Sequence, residues 1–375
     1  MKIALFGGSF DPVHNEHVRY VQAAKAALGL DRVYIIPSHI APHKAFGAAA
    51  SGADRLQMCN LAFRNLPYAE VSDYELRAAG TSYSYLTCRA FAERFPNDEL
   101  YFLVGADMLE DFFTWKNPDD ILAHATLVAC GREGENPAEF REKFFRRFGK
   151  EFISISFAGD AAASHKLRVD LAFRKPTPDL DRAVRRYIDE NRLYGHPAIA
   201  PALALEKPQR REHSYRVALM AVARARSVGV AEGKALLASA LHDCAKYVPL
   251  TSPLLEDFTP PENVPPPVMH QYTGAYLARH AFGIEDEEVL DAIRYHTSGR
   301  AGMTALGKLV FLADMLESGR SFDGVERLRE IFWKDLDGCF YEALREQTEY
   351  LAESGSRVYP LTREAYEYEK ARQNR

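Results

Sequence analysis

Short apolar runs alternate with helical stretches through the first half of the chain. Lys2–Phe6 (KIALF) is strand-like and stops at Gly7-Gly8. Over residues 17–28, Val18, Val21, Ala24 and Leu28 fall on one face of a helix. Arg32–Ile36 predicts a strand closed by Pro37, residues 53–65 a helix, Ala69–Ser72 a strand and residues 83–94 a helix. Leu100–Val104 and Thr126–Ala129 are continuous apolar runs of the kind buried on both faces. Such alternation predicts an α/β unit, a parallel sheet covered by helices on both sides. Ligands bind such sheets beyond the carboxyl ends of the strands.

The pattern changes near residue 195. Tyr187–Tyr194 reads as a terminal helix, and residues 195–208 hold three prolines without a clear period. The expected boundaries are therefore a first domain over 1–195, a linker over 196–207 and a second domain over 208–375. Beyond the linker the period is helical. Helices are predicted over 213–228, 231–246, 270–282, 286–297, 304–317 and 337–353, with a proline-rich loop at 259–267. The second domain is expected to be all-α.

Composition agrees with two buried cores: 375 residues, 47% hydrophobic and 26% charged. A net charge of −5 argues against broad nucleic-acid binding, which wants a basic face to displace counterions. The five cysteines form no CxxC pair and read as reduced thiols. The start of the chain is too short in apolar residues for a secretory leader, and no 18-residue apolar stretch follows. The expectation is a cytoplasmic protein with no membrane partner. Oligomeric state is open, a homo-oligomer included.

The segment Gly7-Gly8-Ser9-Phe10-Asp11-Pro12-Val13-His14-Asn15-Glu16-His17 follows the first strand and opens the first helix. Glycines let backbone N–H groups approach an anion, and the helix start adds partial positive charge. His14 and His17, three apart, can both face a phosphate chain. Two glycines after a strand are usually just a turn; strand, glycines, paired histidines and helix in succession are much harder to meet by accident.

With its further anchors, this segment resembles the bacterial nicotinate-nucleotide adenylyltransferases, of the Rossmann-like nucleotidylyltransferase fold, over residues 1–195. Those anchors are Pro42-His43-Lys44, Arg55-Leu56, Ser82-Tyr83-Ser84, Gly105-Ala106-Asp107, Trp115 and Cys130-Gly131-Arg132. The resemblance implies transfer of an adenylyl group from ATP, with Mg²⁺, to nicotinate mononucleotide. It assigns catalysis to His14 and His17. It assigns substrate binding to Gly7, Gly8, Ser9, Phe10, Lys44, Tyr83, Gly105, Asp107, Trp115, Arg132, Ser164 and Arg168, with Trp115 facing the pyridine ring. The acceptor phosphate is already an anion, so its attack needs no general base, and catalysis reduces to positioning and charge stabilisation.

Three positions depart from the family pattern. Glu16 replaces a glycine, Leu86 replaces an aspartate, and Ala162–Arg168 (AASHKLR) keeps Ser164 and Arg168 but has His165 where a threonine is usual. An alternative follows, in which the first domain binds nucleotide and only regulates the second.

The second half carries His213, the pair His242-Asp243, His270, His296 and Asp314, each on or beside a predicted helix. A single helical histidine is more often a core or surface residue than a ligand. Here the pair emerges from the apolar run Ala235–Leu241, and a buried histidine–aspartate pair is costly unless a cation neutralises it. Imidazole with carboxylate suits iron, manganese or zinc, and six donors allow a dinuclear centre.

These residues resemble the HD-domain phosphohydrolases, and within them the symmetrical diadenosine-tetraphosphate hydrolases. The match rests on Arg211–Ser214, Leu241–Lys246, His270–Tyr276, Ile293–Met303 and Phe311–Glu317. The resemblance implies metal-dependent cleavage of diadenosine tetraphosphate into two ADP, with iron the favoured ion and the pKa of water lowered from about 16 towards about 7. Its metal ligands would be His213, His242, Asp243, His270, His296 and Asp314. Asp243 would also be catalytic, and Lys246 and Arg300 are candidates to hold phosphate oxygens. His280, Tyr272 and Tyr295 read as structural. A different nucleotide substrate for this half is the remaining alternative.

Overall fold

A computed structural model describes residues 1–39, 49–78, 80–105, 108–132, 138–157 and 163–373. The chain divides into two compact units, Met1–Leu167 with Pro176–Tyr194, and Arg168–Lys175 with Gly195–Arg375.

The first unit is built on a six-stranded sheet of β1 (Lys2–Gly8), β2 (Arg32–Pro37), β3 (Ala69–Val71), β4 (Glu99–Gly105), β5 (Thr126–Arg132) and β6 (Ile153–Phe157). The order is β3-β2-β1-β4-β5-β6, every neighbour parallel. The order reverses between β1 and β4, so their carboxyl ends, Gly7-Gly8 and Gly105, flank the crevice where such sheets bind ligands. Ile3, Leu5, Ile36, Leu103 and Leu127 are fully buried, which is why these strands are continuous apolar runs. Tyr20, from the helix Asn15–Leu28, donates its hydroxyl to the carbonyls of Val104 (2.6 Å) and Val128 (3.0 Å).

Among the elements of this unit that lie outside the sequence expectation are an edge strand and a helix. The strand Ile153–Phe157 alternates apolar residues with serines and sits at the edge of the sheet, so it lacks the apolar run of the inner strands. In the helix Ala138–Phe148, Phe144 is fully buried against Phe112, Phe148 and Phe152. The expected terminal helix lies earlier, at Arg182–Glu190, started by Asp181 accepting from the Ala183 N–H at 2.7 Å. Arg192 and Tyr194 then take positive φ angles of 52° and 62°, which no helix tolerates.

The second unit is helical. Its helices are Pro208–Ala225, Glu232–Leu241, Pro266–His280, Glu287–Arg294, Ala305–Leu316, Val325–Lys334, Leu336–Glu353 and Pro360–Gln373. The segment expected as a linker is a correction. Residues 196–207 contain the helix Ile199–Ala204, and Ala198, Ile199 and Ala202 are buried in this unit's core. Its prolines hid these three apolar side chains that pack. Two helices were not foreseen, Val325–Lys334 and Pro360–Gln373. The second of these is charged along its length and is held by Lys308, buried and 2.8 Å from Glu369. Among the described residues no helix is long and apolar enough to cross a membrane.

Candidate active sites

In the first unit, the turn after β1 is clamped from below. Asp11 accepts from the backbone N–H groups of Ala49 (2.7 Å) and Ala50 (3.0 Å) and from the Tyr194 hydroxyl (2.9 Å). Buried Arg55 donates to the Ser9 carbonyl at 2.7 Å. Phe10 has a φ of 47° and turns its ring inward, 1% exposed, edge-on to Phe6 and His17. A side chain at Gly8 would meet that ring at 3.0 Å, so the turn needs glycine there. The Phe10 ring is thus unavailable to a ligand; of the binding role expected for Phe10, only the backbone can serve.

His14 starts the helix Asn15–Leu28, and its ring centroid lies 3.8 Å from that of His17. The His14 backbone N–H donates to His17 Nδ1 at 3.1 Å. A neutral His17 therefore carries its proton on Nε2, as a donor. His14 Nδ1 is buried without a hydrogen bond, and burial pushes the ring's pKa down to about 4. Glu16, the departure from the family's glycine, is buried and turned to Arg19 at 2.5 Å.

The remaining anchors of this unit are placed as follows. Ser164 donates to the Pro12 carbonyl at 3.2 Å, beside the clamped turn. Trp115 is half-buried against Phe112 (5.4 Å) and Phe102 (6.2 Å). Tyr83 carries the Lys116 ammonium 4.3 Å above its ring. Gly105 ends β4. Lys44 and Asp107 lie outside the described residues, as does the side chain of Arg132. Arg168 is placed in the second unit, with its guanidinium paired to Glu232. Glu232 lies between Arg168 and Arg226 and takes both cations.

The second unit gathers every expected ligand. Donor atoms of His213, His242 and Asp314 lie within 4.8 Å of one another, as do those of His242, Asp243 and His296. Asp243 faces two ways. Its Oδ2 is 3.6 Å from His242 Nε2 and 4.0 Å from His213 Nε2. Its Oδ1 is 3.1 Å from His270 Nε2 and 3.6 Å from His296 Nε2. His213 Nε2 also lies 2.9 Å from Asp314 Oδ1.

Backbone and carboxylate acceptors orient these rings. His242 Nδ1 donates to the Ser239 carbonyl and His296 Nδ1 to that of Ile293, both at 2.7 Å, and His213 Nδ1 to Glu317 Oε1 at 3.0 Å. Each Nε2 is left with its lone pair turned into the cluster. His213 Nε2, His242 Nε2 and Asp243 Oδ1 are buried there with no hydrogen bond. Three orphaned acceptors at one place fit a cation, since burial without one is costly. Burial pushes His242 down to about 3, against the pull of Asp243 and Asp314. Burial would raise Asp243, but the neighbouring His242, His270 and His296 hold it well below the usual carboxylate range.

Cations ring the cluster. Arg210, three residues before His213 on the same helix, is 2.9 Å from Asp243 Oδ2. Lys246 Nζ is 3.0 Å from His270 Nε2, and Arg320 is 2.6 Å from Asp314 Oδ1. Arg210, Arg320 and the orienting Glu317 escaped the sequence reading. The spacing that could have found them is the helical i, i+3 of Arg210 to His213 and of Asp314 to Glu317. Arg300 is turned to Asp291 at 2.9 Å and lies over the Tyr295 ring, so its expected phosphate role is not seen in this arrangement. His280 stacks on Tyr276 and Tyr272 meets the Tyr359 hydroxyl, both structural contacts.

Known proteins with similar sequences fall on the same two halves. Residues 5–177 match the cytidylyltransferase-like family and residues 210–319 the HD domain. A Mycoplasma genitalium protein named a probable nicotinate-nucleotide adenylyltransferase/Ap4A hydrolase is 30% identical over 324 residues, 85% of this chain and 88% of that protein. A Desulfitobacterium hafniense protein named a probable nicotinate-nucleotide adenylyltransferase is 33% identical over 52% of this chain and 95% of its own length. Among solved structures, a Clostridium acetobutylicum protein called a "predicted HD superfamily hydrolase involved in NAD metabolism" shares 30% identity. It covers 47% of this chain and 96% of its own, with a TM-score of 0.44.

Proposed function

We infer the function from kinship: the chain belongs to the nicotinate-nucleotide adenylyltransferase/Ap4A hydrolase family, and the geometry of both sites supports a bifunctional enzyme. The first unit transfers an adenylyl group from ATP to nicotinate mononucleotide. A phosphate oxygen of the mononucleotide attacks the α-phosphorus, the bond to the β-phosphoryl oxygen breaks, and pyrophosphate leaves. Magnesium enters with ATP as part of the substrate. His14 and His17 act as hydrogen-bond donors to the phosphates from a helix start, with His14 neutral at pH 7 and His17 donating through Nε2. The clamp of Arg55 and Asp11 holds the backbone of Gly8-Ser9 in place for the same anion.

The second unit hydrolyses diadenosine tetraphosphate to two ADP. His213, His242, Asp243, His270, His296 and Asp314 would hold a divalent metal, iron by preference. The opposite facing of the two Asp243 oxygens supports a dinuclear centre. When bound, such ions supply Lewis acidity and make water a better nucleophile at neutral pH. Arg210 and Lys246 bring positive charge to the phosphates from the rim.

The carrying observation is the convergence of four imidazoles and two carboxylates from five helical segments. The test is to incubate the metal-loaded whole chain with each substrate pair and identify products. Pyrophosphate and the dinucleotide are expected from the first, ADP alone from the second. Absence of ADP with full metal occupancy sinks the hydrolase assignment.

A further inference from the structure

One aromatic ring in the segment just after His242-Asp243 stands largely exposed. Tyr247 follows Lys246 directly and is 43% exposed. The Lys207 ammonium lies 4.3 Å from its ring centroid. Arg210, which is 2.9 Å from Asp243 Oδ2, also engages the Tyr247 hydroxyl. The ring is thus joined through one guanidinium to the carboxylate at the centre of the cluster. Its sequence neighbour Lys246 reaches His270. A half-exposed aromatic face, held by cations and set beside a phosphate-binding centre, suits a ligand that is flat at one end and polyanionic at the other. That ligand class is a nucleotide: bases stack on aromatic side chains, and cations track the phosphates.

We propose that Tyr247 is the nucleobase platform of the helical unit, stacking the purine of a nucleoside polyphosphate whose phosphates run over Arg210 and Lys246 to the cluster. With Lys207 on one face of the ring, the base takes the other. This inference rests on the metal-dependent hydrolase reading above. It adds the residue by which the site tells a nucleotide from a bare polyphosphate.

Calorimetric titration of the manganese-loaded whole chain with ADP and, separately, with inorganic pyrophosphate tests it. A His242→Ala chain measured in parallel subtracts whatever the first unit binds. In Tyr247→Ala, ADP binding weakens by about tenfold or more, the worth of one stacked base, while pyrophosphate binding stays as in the wild type. Tyr247→Phe keeps both affinities. ADP binding unchanged in Tyr247→Ala, or an equal loss for both ligands, overturns the platform. If the wild type and His242→Ala bind both ligands alike, the phosphate site itself is absent, and the hydrolase reading fails before the platform does.

Discussion

His242 Nδ1 lies 2.7 Å from the carbonyl oxygen of Ser239, three residues earlier in the chain. The carbonyl belongs to the last turn of the helix Glu232–Leu241 and has no intrahelical partner of its own to lose. One contact therefore closes a helix end and fixes a tautomer, leaving the lone pair on Nε2. His296 repeats it on Ile293 at the end of Glu287–Arg294. His213 differs, because its orienting partner is a side chain, Glu317. That makes it the histidine whose support a substitution can remove.

Glu317→Gln is expected to weaken metal binding by about tenfold, the usual scale for losing such a partner. Burial would raise the Glu317 carboxyl, but Arg216, the Gly319 N–H and His213 hold it at about 2, so it is an anion at neutral pH. Glutamine still accepts from Nδ1 but lacks that charge and leaves Arg216 without a counter-ion. A manganese titration followed by calorimetry measures the change. An affinity equal to the wild type would mean that the Glu317 anion does not tune the site.

The two sites should fail separately. His242→Ala removes a donor shared by both ligand triads, and tetraphosphate hydrolysis should fall by at least about a hundredfold while pyrophosphate release is kept. His14→Ala should do the reverse, lowering adenylyl transfer by about a hundredfold or more, the scale of one lost oxyanion donor. Product assays on both variants check this. A joint loss in either variant would contradict separate sites.

Acid should loosen the first unit through His14. Burial lowers its pKa to about 4 in the folded chain, against about 6.5 when unfolded. Between those values the unfolded chain binds a proton that the folded chain refuses. Stability thus rises with pH across the window and is lost as pH falls from about 6.5 towards 4, by up to about 3 kcal/mol. Trp333→Phe leaves Trp115 as the sole tryptophan of the chain's two, so its fluorescence reports on this unit. Denaturant midpoints at pH 7 and pH 4.5, with and without His14→Gln, give the difference. Midpoints that move in parallel would show that His14 keeps its proton in the folded state.

Much of this was legible in the sequence because the informative residues are local. The inner strands declare themselves as apolar runs, since both faces are buried. The six ligands sit on or just after amphipathic helices whose period can be counted. Other features were not legible, and three show why. Ile153–Phe157 is an edge strand whose serines interrupt the apolar run. The prolines near Ile199–Ala204 read as a linker, although Ile199 and Ala202 are fully buried. Phe10 looked like part of a ligand turn by its place in the motif, but its ring fills the space under Gly8. In each case tertiary burial, absent from local pattern, decided the outcome.

Arg168 is claimed by the family pattern for the nucleotide and is paired in the structure with Glu232, so it gives a sharp test between two roles. Its guanidinium and that of Arg226 share the Glu232 carboxylate, the side chains of Arg168 and Glu232 being 8% and 13% exposed. Burial would raise Glu232, but Arg168 first and then Arg226 hold it below the usual range. Removing one partner of such a buried pair costs up to about 3 kcal/mol, less than a fully orphaned charge because Arg226 remains. Arg168→Ala and Glu232→Gln should therefore both lower the unfolding temperature of the helical unit, leaving KM for ATP within about twofold of the wild type. Calorimetry and adenylyl-transfer kinetics on the two variants settle which unit Arg168 serves. A KM raised tenfold by Arg168→Ala, with no such rise in Glu232→Gln, would return the arginine to the nucleotide.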